Sequence, residues 1–163
     1  MIEMKIVTIQ VSLVSAHRVV LLQEVGGERY LPIWIGSCEA EAISLHLQGM
    51  ALPRPLTHDL FIDLLAALDV ELSYVLVRAL INGTFYGRLV LEADGVSLEI
   101  DARPSDALAI AVRANAPVYA AESVMTEAGI TPAADLLRSH STEGLDAFRD
   151  FFSNLDTGQL ATD

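Results

Sequence analysis

The chain repeats itself, and that narrows its possible folds more than any other feature of the 163 residues. The stretch "LLQEVGGERYLPIWIGS" (Leu21 to Ser37) runs parallel to "LVLEADGVSLEIDARPS" (Leu89 to Ser105) at an offset of 68, with Glu24 matching Glu92, Gly27 matching Gly95 and Ser37 matching Ser105. The segments that follow, "EAEAISL" and "DALAIAV", match at an offset of 67, so that Glu39 meets Asp106, Ala40 meets Ala107 and Ile43 meets Ile110. One residue of slippage in the intervening loop accounts for the change. A strand–turn–strand–helix unit is apolar on one side only, and it buries that side by packing against a second unit. The expected fold is α+β: duplicated strand-hairpin-helix units that form a mostly antiparallel sheet packed with helices.

The rest of the chain fits this frame. "EMKIVTIQVSL" alternates apolar and polar residues as a half-buried strand does. "RVVLLQEV" and "ERYLPIWI" read as a hairpin around Gly26-Gly27, and a helix follows from Ser37 to near Gly49. A second helix is expected from Thr57 to Leu68. "VELSYVLVRALI" and "TFYGRLVLEA" flank Asn82-Gly83, and Asp94-Gly95 turns into "VSLEIDA"; both dipeptides are strong hairpin signals. Then come a helix in "PSDALAIAVRAN", a short strand in "APVYAA" and a small helix over 121–129. We place the domain at residues 1–130 and an acidic tail at 131–163. In the tail, Leu145, Phe148, Phe152 and Leu155 share one stripe of a docking helix.

Composition excludes several classes. At 52% hydrophobic and 20% charged, most of the chain belongs in a packed body. No apolar run approaches the ~20 residues a membrane helix needs. The N-terminus "MIEMKIVTIQVSL" reads as a strand, not a signal peptide. The single cysteine, Cys38, cannot form an internal disulfide, which points to a cytoplasmic setting. The net charge of −12 argues against a general nucleic-acid binder, which works by neutralising phosphates. A local arginine patch stays open, since nine of the ten basic residues are arginine, the better fork for phosphate.

The chemistry-bearing residues gather in "RPLTHD" (Arg54 to Asp59) and its echo "RPSD" (Arg103 to Asp106). Each has Arg-Pro, a hydroxyl residue and an acid at a helix start. Thr57 suits a cap, and Asp59 and Asp106 suit the positive end of a helix dipole. Capping does not require Arg54, Arg103 or His58. Arginine, a Thr57 or Ser105 hydroxyl and free backbone N–H groups together make a cradle for phosphate or carboxylate. On a helix, Glu39 shares a face with Ala42, Ile43, His46 and Met50, so its carboxylate needs a partner; Arg54 and Arg103 are the candidates. His58 is the one histidine within a cluster, whereas His17 and His140 fall in solvated segments. No zinc motif, P-loop, dinucleotide fingerprint or serine-nucleophile elbow occurs. What survives is a set of carboxylates, Glu39, Asp59, Asp101 and Asp106. Two readings stand: they hold Mg²⁺ or Mn²⁺ for phosphodiester hydrolysis, or they are structural partners of arginine.

Four segments taken together, "LPIWIGSCEAEAI", "PRPLTHDL", "GTFYGRLVL" and "DARPSDALAIAVRANAPVY", resemble the bifunctional nuclease domain family of small bacterial and plant proteins, over roughly residues 3–130. The resemblance implies an α+β fold built from a duplicated unit, nuclease activity on DNA and RNA, and homo-oligomers. The residues shared with the family fall here on Glu39, Arg54, Pro55, Thr57, His58, Asp59, Arg103, Pro104, Ser105 and Asp106. In a nuclease, Glu39, Asp59, Asp101 and Asp106 would bind the metal and activate water, Arg54 and Arg103 would hold the phosphate, and His58 would shuttle a proton. The alternative is a non-enzymatic regulatory module whose Arg-Pro helix starts bind an anionic ligand. A plainer option is an oligomeric scaffold with the His46 and Met50 face as its interface.

Overall fold

A computed structural model describes residues 1–11 and 18–131. Strands β1 (Ile2–Val11), β2 (Arg18–Glu24) and β3 (Tyr30–Ile35) form an antiparallel meander that leads into helix α1 (Ser37–Leu47). After helix α2 (Thr57–Ala67) the pattern recurs: β4 (Glu71–Ile81), β5 (Thr84–Ala93) and β6 (Val96–Ala102) form a second antiparallel meander, followed by α3 (Pro104–Ala114). A three-residue strand, β7 (Val118–Ala120), and helix α4 (Glu122–Ala128) complete the described fold. The expected tail helix and the positions of His17 and His140 lie outside the described residues.

The strands make one sheet in the order β3-β2-β1-β7-β4-β5-β6. β7 pairs antiparallel with β1 and parallel with β4, so β1 and β4 run in opposite directions. α1 and α3 pack against each other, hence both lie on one face of the sheet. Opposite strand directions with helices on one face define a pseudo-two-fold axis normal to the sheet near β7. The fold is thus the expected α+β duplication, with β7 wedged between its halves.

The tight turns follow from their sequences. Asn82 and Gly83 have φ of 49° and 74°, and Asp94 and Gly95 have 51° and 74°. Positive φ at both central residues defines the turn whose twist matches paired strands, and Asn-Gly and Asp-Gly adopt it at little cost. The slippage between the repeats sits elsewhere than expected. Leu22 pairs with Leu31, and Leu91 pairs with Leu98, so the halves correspond at an offset of 69 before the turn and 67 after it. The turn between β2 and β3 is two residues longer than the one between β5 and β6, and the strand-to-helix corners match without slippage.

The core lies between the sheet and the helices. Val20, Leu22, Leu31 and Ile33 from one half meet Val75, Val77, Leu89 and Leu91 from the other, under Ile43 of α1 and Leu108 of α3. Small residues at Ala40, Ala107 and Ala111 keep these helices close to the sheet and to each other. No described helix is long and apolar enough to cross a membrane.

Candidate functional site

Each of the three helices α1, α2 and α3 carries an acid at its third position: Glu39, Asp59 and Asp106. The residues preceding these helices are Gly36, Leu56 and Arg103, none of which caps with a side-chain oxygen. Thr57, expected as a cap, is instead the first residue of α2. The acid at the third position reaches back in its stead: Asp59 Oδ2 accepts the Leu56 N–H at 2.7 Å. Acids in the first turn also suit the positive end of the helix dipole.

The first turns of the three helices open onto one cleft of about 510 Å³, lined by Cys38, Glu39, Leu56, Thr57, His58, Arg103 and Asp106, with Glu41, Ala42, Leu45 and Leu52. At its centre, Arg103 donates from Nε to Asp106 Oδ2 at 2.7 Å and from Nη2 to Asp106 Oδ1 at 3.0 Å. The same Nη2 donates to Glu39 Oε1 at 2.7 Å. Arg103 therefore bridges the two repeats through equivalent acids. Its pKa is raised, by the hydrogen bonds to Asp106 first and Glu39 second. The Arg103 side chain is 67% exposed while that of Glu39 is 16% exposed, so the guanidinium still faces solvent across the cleft. His58 Nε2 stands 3.4 Å from Asp106 Oδ1.

Two glycines hold this arrangement in position. A Cβ on Gly36 would lie 2.2 Å from Glu39 Oε2, so glycine there leaves the Glu39 carboxylate free to take this position, and a larger residue would push that flexible side chain aside. A Cβ on Gly87 would lie 2.8 Å from the Ala102 carbonyl oxygen and 3.0 Å from the Pro104 nitrogen. Gly87 thus lets the β6–α3 corner, which carries Arg103, approach β5 closely. A glycine inside a strand signals such an approach, and that signal sits in "GTFYGRLVL".

Asp59 pairs with neither Arg54 nor Arg103. Arg113 of α3, with its side chain 5% exposed, donates from Nε to Asp59 Oδ1. It also donates to the Ala109 carbonyl at 2.8 Å and to the Ala42 carbonyl at 3.1 Å. One buried guanidinium therefore ties α1, α2 and α3 together. Burial works to raise the Asp59 pKa, but Arg113, the Leu56 N–H and nearby positive charge outweigh it and hold the carboxyl below its usual range.

The other candidates disperse. Arg54 is exposed and lines a neighbouring cleft of about 350 Å³ with His46, Met50, Asp59 and Arg113. Ser105 is buried rather than facing the main cleft. Asp101 pairs in register with Arg88 and makes an ion pair with Arg78 at 3.6 Å on the sheet face away from the helices. Glu39, Asp106, His58, Thr57 and Arg103 therefore meet, while Asp101, Ser105 and Arg54 stand apart from them and Asp59 turns to Arg113. Cys38 is exposed at the cleft. Among the described residues, no group of three or more His, Cys, Asp or Glu stands ready to hold a metal ion.

The model of the bifunctional nuclease domain matches residues 20–133. An uncharacterized protein of Mycobacterium tuberculosis is 47% identical over 128 residues, covering 78% of this chain and 76% of that protein. Bifunctional nuclease 1 of Oryza sativa is 26% identical over 105 residues, covering 63% of this chain and 32% of the plant protein. Bifunctional nuclease 2 of Oryza sativa is 26% identical over 144 residues, covering 85% of this chain and 43% of the plant protein.

Proposed function

The chain belongs to the bifunctional nuclease domain family, and from that premise we propose that it hydrolyses phosphodiester bonds of DNA or RNA in the cleft where α1, α2 and α3 begin. The observation that carries the reading is Arg103: a guanidinium fixed by two acids, on a side chain that is two-thirds exposed, beside the first turns of the helices. Backbone N–H groups of a helix first turn have no partner within the helix and attract anions. A phosphate entering the cleft meets Arg103 and these donors together. Thr57 offers its hydroxyl beside them, and His58, braced by Asp106, is the group that moves a proton.

Dependence on Mg²⁺ or Mn²⁺ belongs to the proposal as well. A bound divalent cation would supply Lewis-acid stabilisation of the developing charge. As arranged, the carboxylates do not fit one: Glu39 and Asp106 are engaged by Arg103, and Asp101 faces the other side of the sheet. No step is therefore derived through a cation, and release of Arg103 from both acids is the structural condition for binding one.

The test is cleavage of labelled single-stranded and duplex DNA and RNA with Mg²⁺, Mn²⁺ or EDTA, by wild type, Arg103→Ala and Asp106→Asn purified identically. Cutting by wild type that is lost in both variants supports the reading. Equal cutting by all three proteins refutes the site. The engagement of both acids by Arg103 favours a second reading, a non-catalytic module that binds an anionic ligand. No cutting by any protein, together with a melting temperature raised by nucleotides in wild type but not in Arg103→Ala, would favour that reading.

A further inference from the structure

The two arginines marked out by the sequence stand in different clefts. Arg103 lies in the main cleft and Arg54 in the smaller one beside it, and Leu45, Leu52 and Leu56 line both. The clefts are neighbours across one apolar wall, yet their charges oppose. The main cleft sets three acids, Glu39, Glu41 and Asp106, against Arg103. The smaller cleft sets Arg54 and Arg113 against Asp59. With histidines neutral, the main cleft is net negative and the smaller one net positive.

The arginines also differ in what holds them. Arg103 is committed to Glu39 and Asp106, so a phosphate there competes with two carboxylates. Arg113 is buried and spends its donors on Asp59 and on the Ala42 and Ala109 carbonyls. Arg54 is exposed, and among the described residues its guanidinium has no ion pair or hydrogen-bond partner. The Leu56 N–H that follows it is taken by Asp59, which leaves the Arg54 guanidinium as the donor an anion would find. Met50 and Leu52, 55% and 42% exposed, line the same cleft. A cleft of about 350 Å³ with an apolar wall and one unengaged cation is of the size and kind that takes a small organic anion. A nucleotide has both parts, a phosphate for Arg54 and a base for Met50 and Leu52.

We propose that the Arg54 cleft anchors the phosphate adjacent to the one that reacts at Arg103, so that the two arginines hold consecutive phosphates of one single strand of DNA or RNA. The strand assignment rests on the nuclease reading of the main cleft; the phosphate site itself does not. Single strands fit because the apolar wall needs an unstacked base. A net-negative cleft gains little by attracting a phosphate on its own. It receives one by tether, once the neighbouring phosphate is held at Arg54 and the effective concentration of the next is high. The chain then reads a run of phosphates, and a diester with no neighbouring phosphate is a poor substrate.

Each cleft carries a histidine that reports on it, His46 in the smaller and His58 in the main one. The full chain is titrated with inorganic phosphate and with thymidine monophosphate at fixed pH and ionic strength. The imidazole resonances, assigned with His46→Gln and His58→Gln, are followed by NMR. Phosphate should move His46 with an affinity about tenfold tighter than His58, as the difference in charge between the clefts implies at ordinary screening. Arg54→Ala should abolish the His46 response, Arg54→Lys should keep most of it, and both should melt as wild type does. In the cleavage assay, Arg54→Ala should lower kcat/KM for a single strand about tenfold, through KM. The proposal is overturned by His58 responding first, by a silent His46 up to about 0.1 M phosphate, where the protein's own charges are well screened, or by a loss in Arg54→Ala that falls on kcat alone. If wild type cuts nothing, the nuclease reading fails and takes the strand assignment with it, while the titration still decides the phosphate site. If cutting persists and His46 is silent, only the anchor is lost.

Discussion

Replacing Gly87 with alanine isolates the one close backbone contact on which the cleft depends. The added Cβ would meet the Ala102 carbonyl oxygen at 2.8 Å, the Pro104 nitrogen at 3.0 Å and the Pro104 Cα at 3.1 Å. All three are backbone atoms, so no side chain can swing aside, and the β6–α3 corner must move by a few tenths of an ångström. Overpacking of this kind costs about 1–3 kcal/mol. Against it stands a gain of about 0.4–1 kcal/mol, because alanine narrows the unfolded ensemble and no positive φ forbids it here. The net is a loss of roughly 1–2 kcal/mol, or a melting temperature lower by about 2–8 °C for a chain of this length. Arg103 lies between Ala102 and Pro104, so its guanidinium shifts relative to Glu39; a full misplacement of about 1 Å costs on the order of 100-fold in rate, and a shift of a few tenths of an ångström should cost less than that. Calorimetry gives the first quantity and the cleavage assay the second. Gly95→Ala is the control: it carries strain at a φ of 74° but has open space around it and lies away from the cleft. If Gly87→Ala melts at or above wild type, the corner has slack and the close-approach argument fails.

Further perturbations separate the architecture from the site. Arg113→Ala should be destabilising by about 3 kcal/mol, the low end for breaking a buried pair, since the Asp59 side chain is 34% exposed; chemical denaturation reads it, and a loss below about 1 kcal/mol would remove Arg113 as the helix tie. The Asp59 carboxyl titrates below its usual range, so its stabilising effect is present above an ordinary aspartate pKa of about 3.9 and is lost as pH falls through the lower folded value. Asp59→Asn should therefore have a shallower acid limb in its urea midpoints than wild type, and identical limbs would contradict the pairing. Gly36→Ala should change stability by less than about 1 kcal/mol, as expected for a partly exposed ion pair, yet lower cleavage by driving Glu39 off Arg103; unchanged cleavage would show that Glu39 has no part in the site. With Arg103 and Arg54 as the exposed cations nearest the cleft, the salt slope of single-strand binding should lie near −0.7 to −1.4, at about −0.7 per phosphate neutralised; a slope of −5 or steeper would mean a phosphate track elsewhere on the molecule.

The order of elements was legible because the turns announce themselves. Asp94-Gly95 and Asn82-Gly83 demand the positive φ they adopt, and the repeat fixes which helix belongs to which meander. β7 was visible as a strand, but not its role as the wedge between the halves, because three residues carry no signal of which strands they will join. Sequence matching sees only net slippage, so it assigned to the corner a shift that the β2–β3 turn absorbs. The cleft was half legible. Acids three residues into a helix mark Glu39, Asp59 and Asp106 as dipole-facing groups, but nothing local says that Asp59 will turn to Arg113, which is 54 residues away. Asp101 could have been separated from the others, because β6 alternates Leu98 and Ile100 with Glu99 and Asp101 and so sends its acids to the opposite face. Gly87 escaped notice because the reason for it lies in the backbone of Ala102 and Pro104, not in its own neighbours.

The cleft is where the two halves of the duplication stopped being equivalent. Counting from the helix starts, Glu39 corresponds to Asp106 and Gly36 to Arg103. With arginine at both positions, each helix would hold its own acid and two guanidinium groups would crowd the pseudo-two-fold. With glycine at both, two carboxylates would face each other unpaired, at a cost that rises with burial. The chain has one of each. Gly36 clears the volume into which Glu39 folds, and Arg103 reaches across to hold that acid together with its own. The outcome is a single guanidinium, already oriented by two acids and open on its remaining side, where a symmetric design would have given two closed ion pairs. That broken symmetry gives the arginine a second task, and it explains why an arginine opens "RPSD" while a glycine stands at the matching position of "GSCE".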